Sequence, residues 1–237
     1  MISGSMRVPT ARRAFTLVEL LVVVAILAIL AAILFPVFAQ AKMRGKATVA
    51  LSNSRTIGLG TQLYMSETDD VFPLVSHGGA SWIANLQPYV GGKILYRLGE
   101  DRSRNWETPL PGETATRRCS YAVSAYLGNG EGTAKGVSQV ERPAETIYLA
   151  EYRDEKTGDH VHPMCWEPHG CDFSGVHYAI ASETEVAKAR YLGGSHYTFT
   201  DGHAKWMRFA GTYSGTAGGP DLWTPFPGAG LPYGRPN

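Results

Sequence analysis

From Leu20 to Phe35 the chain has no polar side chain, and Pro36, Val37, Phe38 and Ala39 prolong the stretch to twenty residues without a charge. About 20 apolar residues in a helix span a hydrocarbon core about 30 Å thick. Arg7, Arg12 and Arg13 precede the run, and no acidic residue occurs among the first 14. That bias keeps the leading end in the cytoplasm and sends everything after about Gln40 across the membrane. Without the three leader arginines the chain carries 19 basic against 21 acidic side chains. A mature charge near −2 gives no electrostatic footprint for nucleic acid, so no nucleic-acid partner is expected. At 237 residues and 44% hydrophobic content, one ordinary domain with an attached segment is the default.

Glu19, at the leading edge of the run, separates three readings. A secretory signal peptide fits the apolar core and Ala39-Gln40-Ala41 as a small-x-small site, but leaves Glu19 without a reason. A plain signal anchor leaves it equally unexplained. A carboxylate in or beside such a run costs up to about 2.5–3.5 kcal/mol on insertion scales unless it is paired or reaches the interface. Cleavage before Phe15 would create an amine to pair with it.

Arg12-Arg13-Ala14-Phe15-Thr16-Leu17-Val18-Glu19-Leu20-Leu21 resembles the cleavage and methylation motif of type IV pilins and type II secretion pseudopilins. The resemblance implies that prepilin peptidase cuts between Ala14 and Phe15, that Phe15 is then N-methylated, and that Glu19 pairs with a neighbouring subunit's amine during assembly. Most members have Gly before the cut, where this chain has Ala14. Pro36 stands where many pilins carry a helix-kinking proline.

Beyond the membrane, Met43, Ala47, Ala50, Ser54, Ile57, Thr61 and Tyr64 alternate spacings of four and three, which puts them on one helical face. Gly45, Gly58 and Gly60 each cost about 1 kcal/mol relative to Ala in a helix, so packing must hold this half. Pro73 then biases Phe72 away from helical angles. Ser81 to Val90 reads as a short helix interrupted near Pro88. Strands are expected at Ile94–Leu98, Ser120–Tyr126 and Thr146–Glu151, and at His196–Thr200 and His203–Met207 around a two-residue hairpin turn, Asp201-Gly202. The expected fold class is α+β and pilin-like: a long N-terminal hydrophobic helix packed on a small antiparallel β-sheet domain with long loops. The expected organisation is a leader over 1–14, a transmembrane and assembly helix over 15–66, a β-rich extracytoplasmic domain over 67–210, and a Gly/Pro-rich tail over 211–237.

Several blocks from Arg12 to Met207 also resemble pilin-like proteins of planctomycetes and armatimonadetes that share a domain of unknown function. These blocks are Phe35–Ala41, Leu51–Gly58 with Tyr64, Trp82–Val90, Arg142–Ile147 and Tyr197–Trp206. Members of that group usually end in His, nine residues, then Asp-Gly. Here the Asp-Gly is Asp201-Gly202 and the His position holds Tyr191.

Catalytic chemistry finds little support. Glu151, Asp159, His160, His162, His169, His177, Asp201 and His203 are chemically capable, and His160 and His162 fall on one side of an extended segment. No metalloprotease helix, nucleophile elbow or phosphate-binding glycine loop accompanies them, so the histidines read as loop or surface residues and no catalytic residue, metal or cofactor is assigned. Trp82, Tyr89, Trp106, Tyr121, Tyr126, Trp206 and Trp223 could line a glycan-binding surface, with core packing as their default role. The spacing of Cys165 and Cys171 permits a local disulfide in an oxidising compartment. Cys119 is then left over, although three cysteines allow three alternative single bridges.

The expected function is that of an exported pilin-like or pseudopilin-like structural subunit, single-pass in the inner membrane or in an extracellular filament, with prepilin peptidase, the membrane and other pilin-like subunits as partners. The alternative is a helix-anchored protein that binds a glycan, peptide or ion outside the cytoplasm without polymerising.

Overall fold

The computed structural model describes residues 16–75, 81–92, 96–130, 134–168, 170–173, 176–216 and 219–226. The chain forms two compact units that meet between Lys42 and Met43. Helix α1 (Leu17–Glu67) is 51 residues long and passes through Pro36 without ending. Pro36 lacks the N–H that would bond the Ala32 carbonyl.

In the first unit the apolar side chains of α1 find no cover. Leu20, Val24, Leu27, Leu30, Leu34 and Phe38 are all exposed, and this stretch is long and apolar enough to cross a membrane.

The second unit is an α+β domain built on the later half of α1. The seven positions of the predicted face all meet its core. Ala50, Ser54, Ile57 and Thr61 are buried, and Met43, Ala47 and Tyr64 pack partly buried against the same cluster. Fully burying Ile57 and Met65 contributes about 1.5–3 kcal/mol each. That offsets the helix-propensity cost of the three glycines, about 3 kcal/mol together.

The main sheet has five strands in the order β5-β2-β4-β8-β9. These are β2 (Tyr121–Ser124), β4 (Ile147–Glu151), β5 (His160–Val161), β8 (Ser195–Phe199) and β9 (Ala204–Met207). Its pairings are antiparallel except β2 with β5. Strands β2, β4 and β8 are buried on both faces, so Tyr121–Val123 and Ile147–Ala150 read as apolar runs without alternation, whereas β8 also buries the polar Ser195, His196 and Thr198. Tyr121 and Val123 join the core on the α1 side. Ala122 between them points into a second core with Tyr197, Trp166 and Trp223, as the two-residue period of a strand requires.

The Gly- and Pro-rich C-terminal stretch contributes to that second core. Trp223 is fully buried and packs edge-on to Trp166 at 4.8 Å between ring centroids. The Leu222 and Pro225 carbonyls accept from Ile147 N at 2.6 Å and Glu141 N at 3.1 Å.

Several sequence expectations need correction. Helix α2 (Trp82–Val90) is not interrupted at Pro88: Ser81 caps it, and Trp82, Leu86 and Val90 are buried along one face. Packing of that face outweighs the one backbone bond that proline removes. Of the strand expected at 94–98, residues 94 and 95 lie outside the described residues, and Tyr96 to Leu98 are not strand. The Leu98 amide instead donates to Ser120 Oγ at 2.9 Å. The hairpin between β8 and β9 turns over three residues, Thr200-Asp201-Gly202, because Phe199 N already bonds the His203 carbonyl at 2.8 Å. Gly202, at φ 89°, supplies the left-handed residue that closes such a loop.

Three short pairings carried no readable pattern: β1 (Leu74–Val75) with β3 (Asn129–Gly130), β6 (Cys171–Phe173) with β7 (Val176–Tyr178), and β5 with β2. The long connection before β2 is held by a buried ion pair, Arg117 Nη2 to Asp101 Oδ2 at 2.6 Å. Arg117 also donates to the carbonyls of Arg153 and Lys156 at 2.8 Å each.

Candidate functional site

The start of α1 is a reciprocal cap. Glu19 Oε2 accepts from Thr16 N at 2.9 Å and from Thr16 Oγ1 at 2.8 Å, while Glu19 N donates back to Thr16 Oγ1 at 3.2 Å. This is the Thr-x-x-Glu capping box, in which two otherwise unpartnered amides are satisfied by each other's side chains. The carboxylate also sits at the positive end of the helix dipole. Glu19 therefore has a local structural role beside the assembly role expected of it, and Thr16 is a site residue that the sequence reading missed. The signal was present in the spacing of Thr16, Glu19 and the apolar run that follows. Ala14 and Phe15, the expected cleavage and methylation residues, lie outside the described residues.

The acidic and imidazole groups of the second unit form separate pairs. Glu151 accepts from His196 N at 3.0 Å, contacts His196 Nδ1 at 2.7 Å and faces Arg190 Nε at 3.2 Å. Asp159 Oδ1 meets His160 Nδ1 at 2.8 Å. Glu185 contacts His162 Nδ1 at 2.7 Å and accepts from His162 N at 3.0 Å and Trp166 Nε1 at 2.6 Å. Burial alone would raise the Asp159 and Glu185 carboxyls. Their hydrogen bonds, led by His160 for Asp159 and by His162 for Glu185, outweigh it and hold both below the ordinary carboxylate range.

The rings of His160 and His162 lie 4.8 Å apart. His160 is buried within β5, contrary to the loop or surface position expected, because β5 adds to the edge of β2 and carries it inside. His177 pairs with Asp172, and His203 with Asp201, at the surface. His169 lies outside the described residues. Among the described residues no three His, Cys, Asp or Glu side chains come together as a metal site.

Cys165 and Cys171 are joined by a disulfide with Cα atoms 4.5 Å apart. Cys119 is a buried thiol whose pKa is pushed up by burial. Of the aromatic residues weighed as a glycan surface, Trp82, Tyr121, Tyr126 and Trp223 are core, and Trp206 is partly exposed, its Nε1 donating to the Tyr191 carbonyl at 2.9 Å. Tyr191 itself is buried and its ring lies 5.1 Å from that of His196.

Residues 9–35 match the prokaryotic N-terminal methylation motif. No curated protein and no solved structure matches the chain. The N-terminus thus carries a prepilin-type methylation signal on an apolar helix fit to cross a membrane, and that helix continues into an α+β domain arranged as in pilins.

Proposed function

We propose that this chain is an exported pilin-like or pseudopilin-like structural subunit. In this reading prepilin peptidase cuts between Ala14 and Phe15, and the new Phe15 amine is methylated. The first half of α1 anchors the chain in the inner membrane, the second unit lies outside the cytoplasm, and subunits polymerise through α1. The observation that supports this best is continuity: the methylation motif leads into an exposed apolar helix that runs unbroken into the core of a folded domain. The apolar segment and the helix that supports the domain are then parts of one element, α1.

Each part of the helix has a task in this reading. The uncovered apolar half suits lipid first and neighbouring helices afterwards, and Glu19 supplies a countercharge for an adjacent subunit's amine. The test is intact mass and N-terminal sequencing of the membrane form, followed by electron microscopy of sheared surface material. A terminus at Phe15, methylated, with fibres that disappear on deletion of the chain, is the expected result. A terminus at Lys42 removes the reading. A Phe15 terminus without fibres favours the anchored, non-polymerising alternative.

A further inference from the structure

Within the second unit the charges of α1 are sorted along its length. From Met43 to Ser66 the helix carries Arg44, Lys46 and Arg55 and no carboxylate, and Glu67, Asp69 and Asp70 then follow together. Lys46 is matched by Glu100. Arg44 and Arg55 are exposed and have no carboxylate partner among the described residues. Eleven residues separate them, which is three helical turns, so they stand on one face about 16 Å apart. Leu59, one turn past Arg55, and Leu63 border that face with 61% and 55% exposure.

The far end of α1 is acidic where a helix disfavours it. Glu67 lies in the last turn, which has no basic residue, and Asp69 and Asp70 form a left-handed exit at φ 53° and 66°. Carboxylates placed here meet the negative end of the helix dipole. Asp70 accepts from the Ser138 amide at 3.0 Å and Glu67 from the Tyr89 hydroxyl at 2.5 Å. Neither contact supplies a positive charge. The segment from Ala134 to Thr146 meets this end through Ser138 and adds Glu141, the Arg142–Glu145 pair and one further cation, Lys135. Glu67, Asp69 and Glu141 are all exposed, and the end keeps a negative surplus.

We propose that the outer face of α1 at Arg44 and Arg55 docks the acidic end of a second copy of this chain, with Glu67 and Asp69 as the countercharges. The inference rests on the assembly reading given above. Arg55 and Glu67 are twelve residues apart on one helix, a rise of about 18 Å. The two patches therefore cannot meet within a chain, and each is left for another copy. A guanidinium presents a planar donor fork that fits a carboxylate two bonds at a time, and Leu59 and Leu63 exclude water beside it. The patches differ, so the contact is heterologous. Each added copy presents a new acidic end and a new basic face, and the array extends as a fibre must.

The test uses the full chain in cells, with sheared fibres counted by electron microscopy. Arg44→Glu with Arg55→Glu places like charges in the contact and should cut fibres about tenfold or more, as should Glu67→Lys with Asp69→Lys. All four substitutions together exchange the signs and should restore fibres, which a merely structural defect would not allow. Normal fibres in either pair, or no recovery in the fourfold variant, overturns the proposal. A second measurement needs no charge reversal: Arg55→Cys with Glu67→Cys, treated with a bifunctional maleimide on intact fibres, should give a ladder of linked copies, and neither single variant should. Cys119 is buried and Cys165 is bonded to Cys171, so the native thiols stay silent. Absence of the ladder also overturns the proposal. Wild-type cells without fibres defeat the assembly reading itself, whereas wild-type fibres that persist in both charge reversals defeat this contact alone.

Discussion

Gly58 of α1 lies against Gly202 of the β8–β9 turn so closely that a Cβ on Gly58 would overlap the Gly202 carbonyl oxygen and come within 2.7 Å of Thr198 Cγ2. The contact is reinforced on both sides. Gln62 Nε2 donates to the Thr200 carbonyl at 2.7 Å, and Thr198 Oγ1 to the Ser54 carbonyl at 3.2 Å. On another side of the helix, Gly60 makes room for Val90 of α2. Two of the three glycines that weaken α1 by propensity, Gly58 and Gly60, are thus places where it seats on the domain.

Gly58→Ala is therefore expected to destabilise the second unit by about 1–3 kcal/mol, since a backbone carbonyl cannot move aside as a flexible side chain would and overpacking outweighs the gain in helix propensity. Gly45 has nothing within 4 Å of its notional Cβ, so Gly45→Ala should stabilise by up to about 1 kcal/mol. Denaturant unfolding of both variants, followed by tryptophan fluorescence, checks the opposite signs. Equal effects would mean that α1 does not seat through Gly58.

Acid should weaken the same unit. Glu185 and Asp159 have folded pKa values held below their ordinary 4.5 and 3.8, so the stability they add is present above those values and is lost as pH falls through the lower folded ones. Melting temperature should hold down to about pH 5 and drop steadily below about pH 4. Glu185→Ala strands the buried Trp166 N–H and the His162 amide, which should cost about 2–4 kcal/mol at neutral pH and flatten part of the acid slope. An unchanged slope in that variant would assign the acid sensitivity elsewhere.

The Cys165–Cys171 bridge closes a short loop at the base of the exposed β6–β7 hairpin. Chain entropy for a loop this short gives about 2 kcal/mol. Reduction should lower the unfolding free energy by that amount without unfolding the protein. Native oxidised protein should take up no alkylating reagent, since Cys119 is fully buried, and native reduced protein should take up two equivalents slowly, because Cys165 and Cys171 keep 8% and 5% exposure. Labelling of Cys119 in the native state would show that the α1-side core opens readily.

What the sequence disclosed follows from the length of each pattern. The face from Met43 to Tyr64 repeats over more than five turns, and every member reaches the core. Strands β2 and β4 appeared as largely apolar runs because both of their faces are covered, and β8 was marked instead by the Asp201-Gly202 turn that follows it. Strands β1, β3, β5, β6 and β7 have only two or three residues each, too few for a period to register, and with β5 went the buried position of His160. Pro88 misled for the opposite reason: local chemistry argued for a break, and burial of Trp82, Leu86 and Val90 prevailed. Glu185, which ties His162 to Trp166, carries no local motif because its partners lie 19 and 23 residues away.

The two roles of Glu19, cap and countercharge, can be separated by chemistry. Glutamine accepts the same cap bonds as glutamate at this position, so Glu19→Gln removes the charge and leaves the box with Thr16 in place. Thr16→Val keeps the charge and removes the hydroxyl that receives Glu19 N, at a cost of about 1 kcal/mol in helix stability. Both variants should insert normally, because the apolar run and the leader arginines are untouched. In a bundle of low dielectric, a buried amine deprived of its carboxylate costs about 3–5 kcal/mol, several times the loss of a cap. Glu19→Gln is therefore expected to reach wild-type membrane levels with sheared fibres absent, and Thr16→Val to make fibres close to wild type. Fibre loss in Thr16→Val alone would assign Glu19 to the cap. Normal fibres in Glu19→Gln would remove the ion pair from the assembly mechanism.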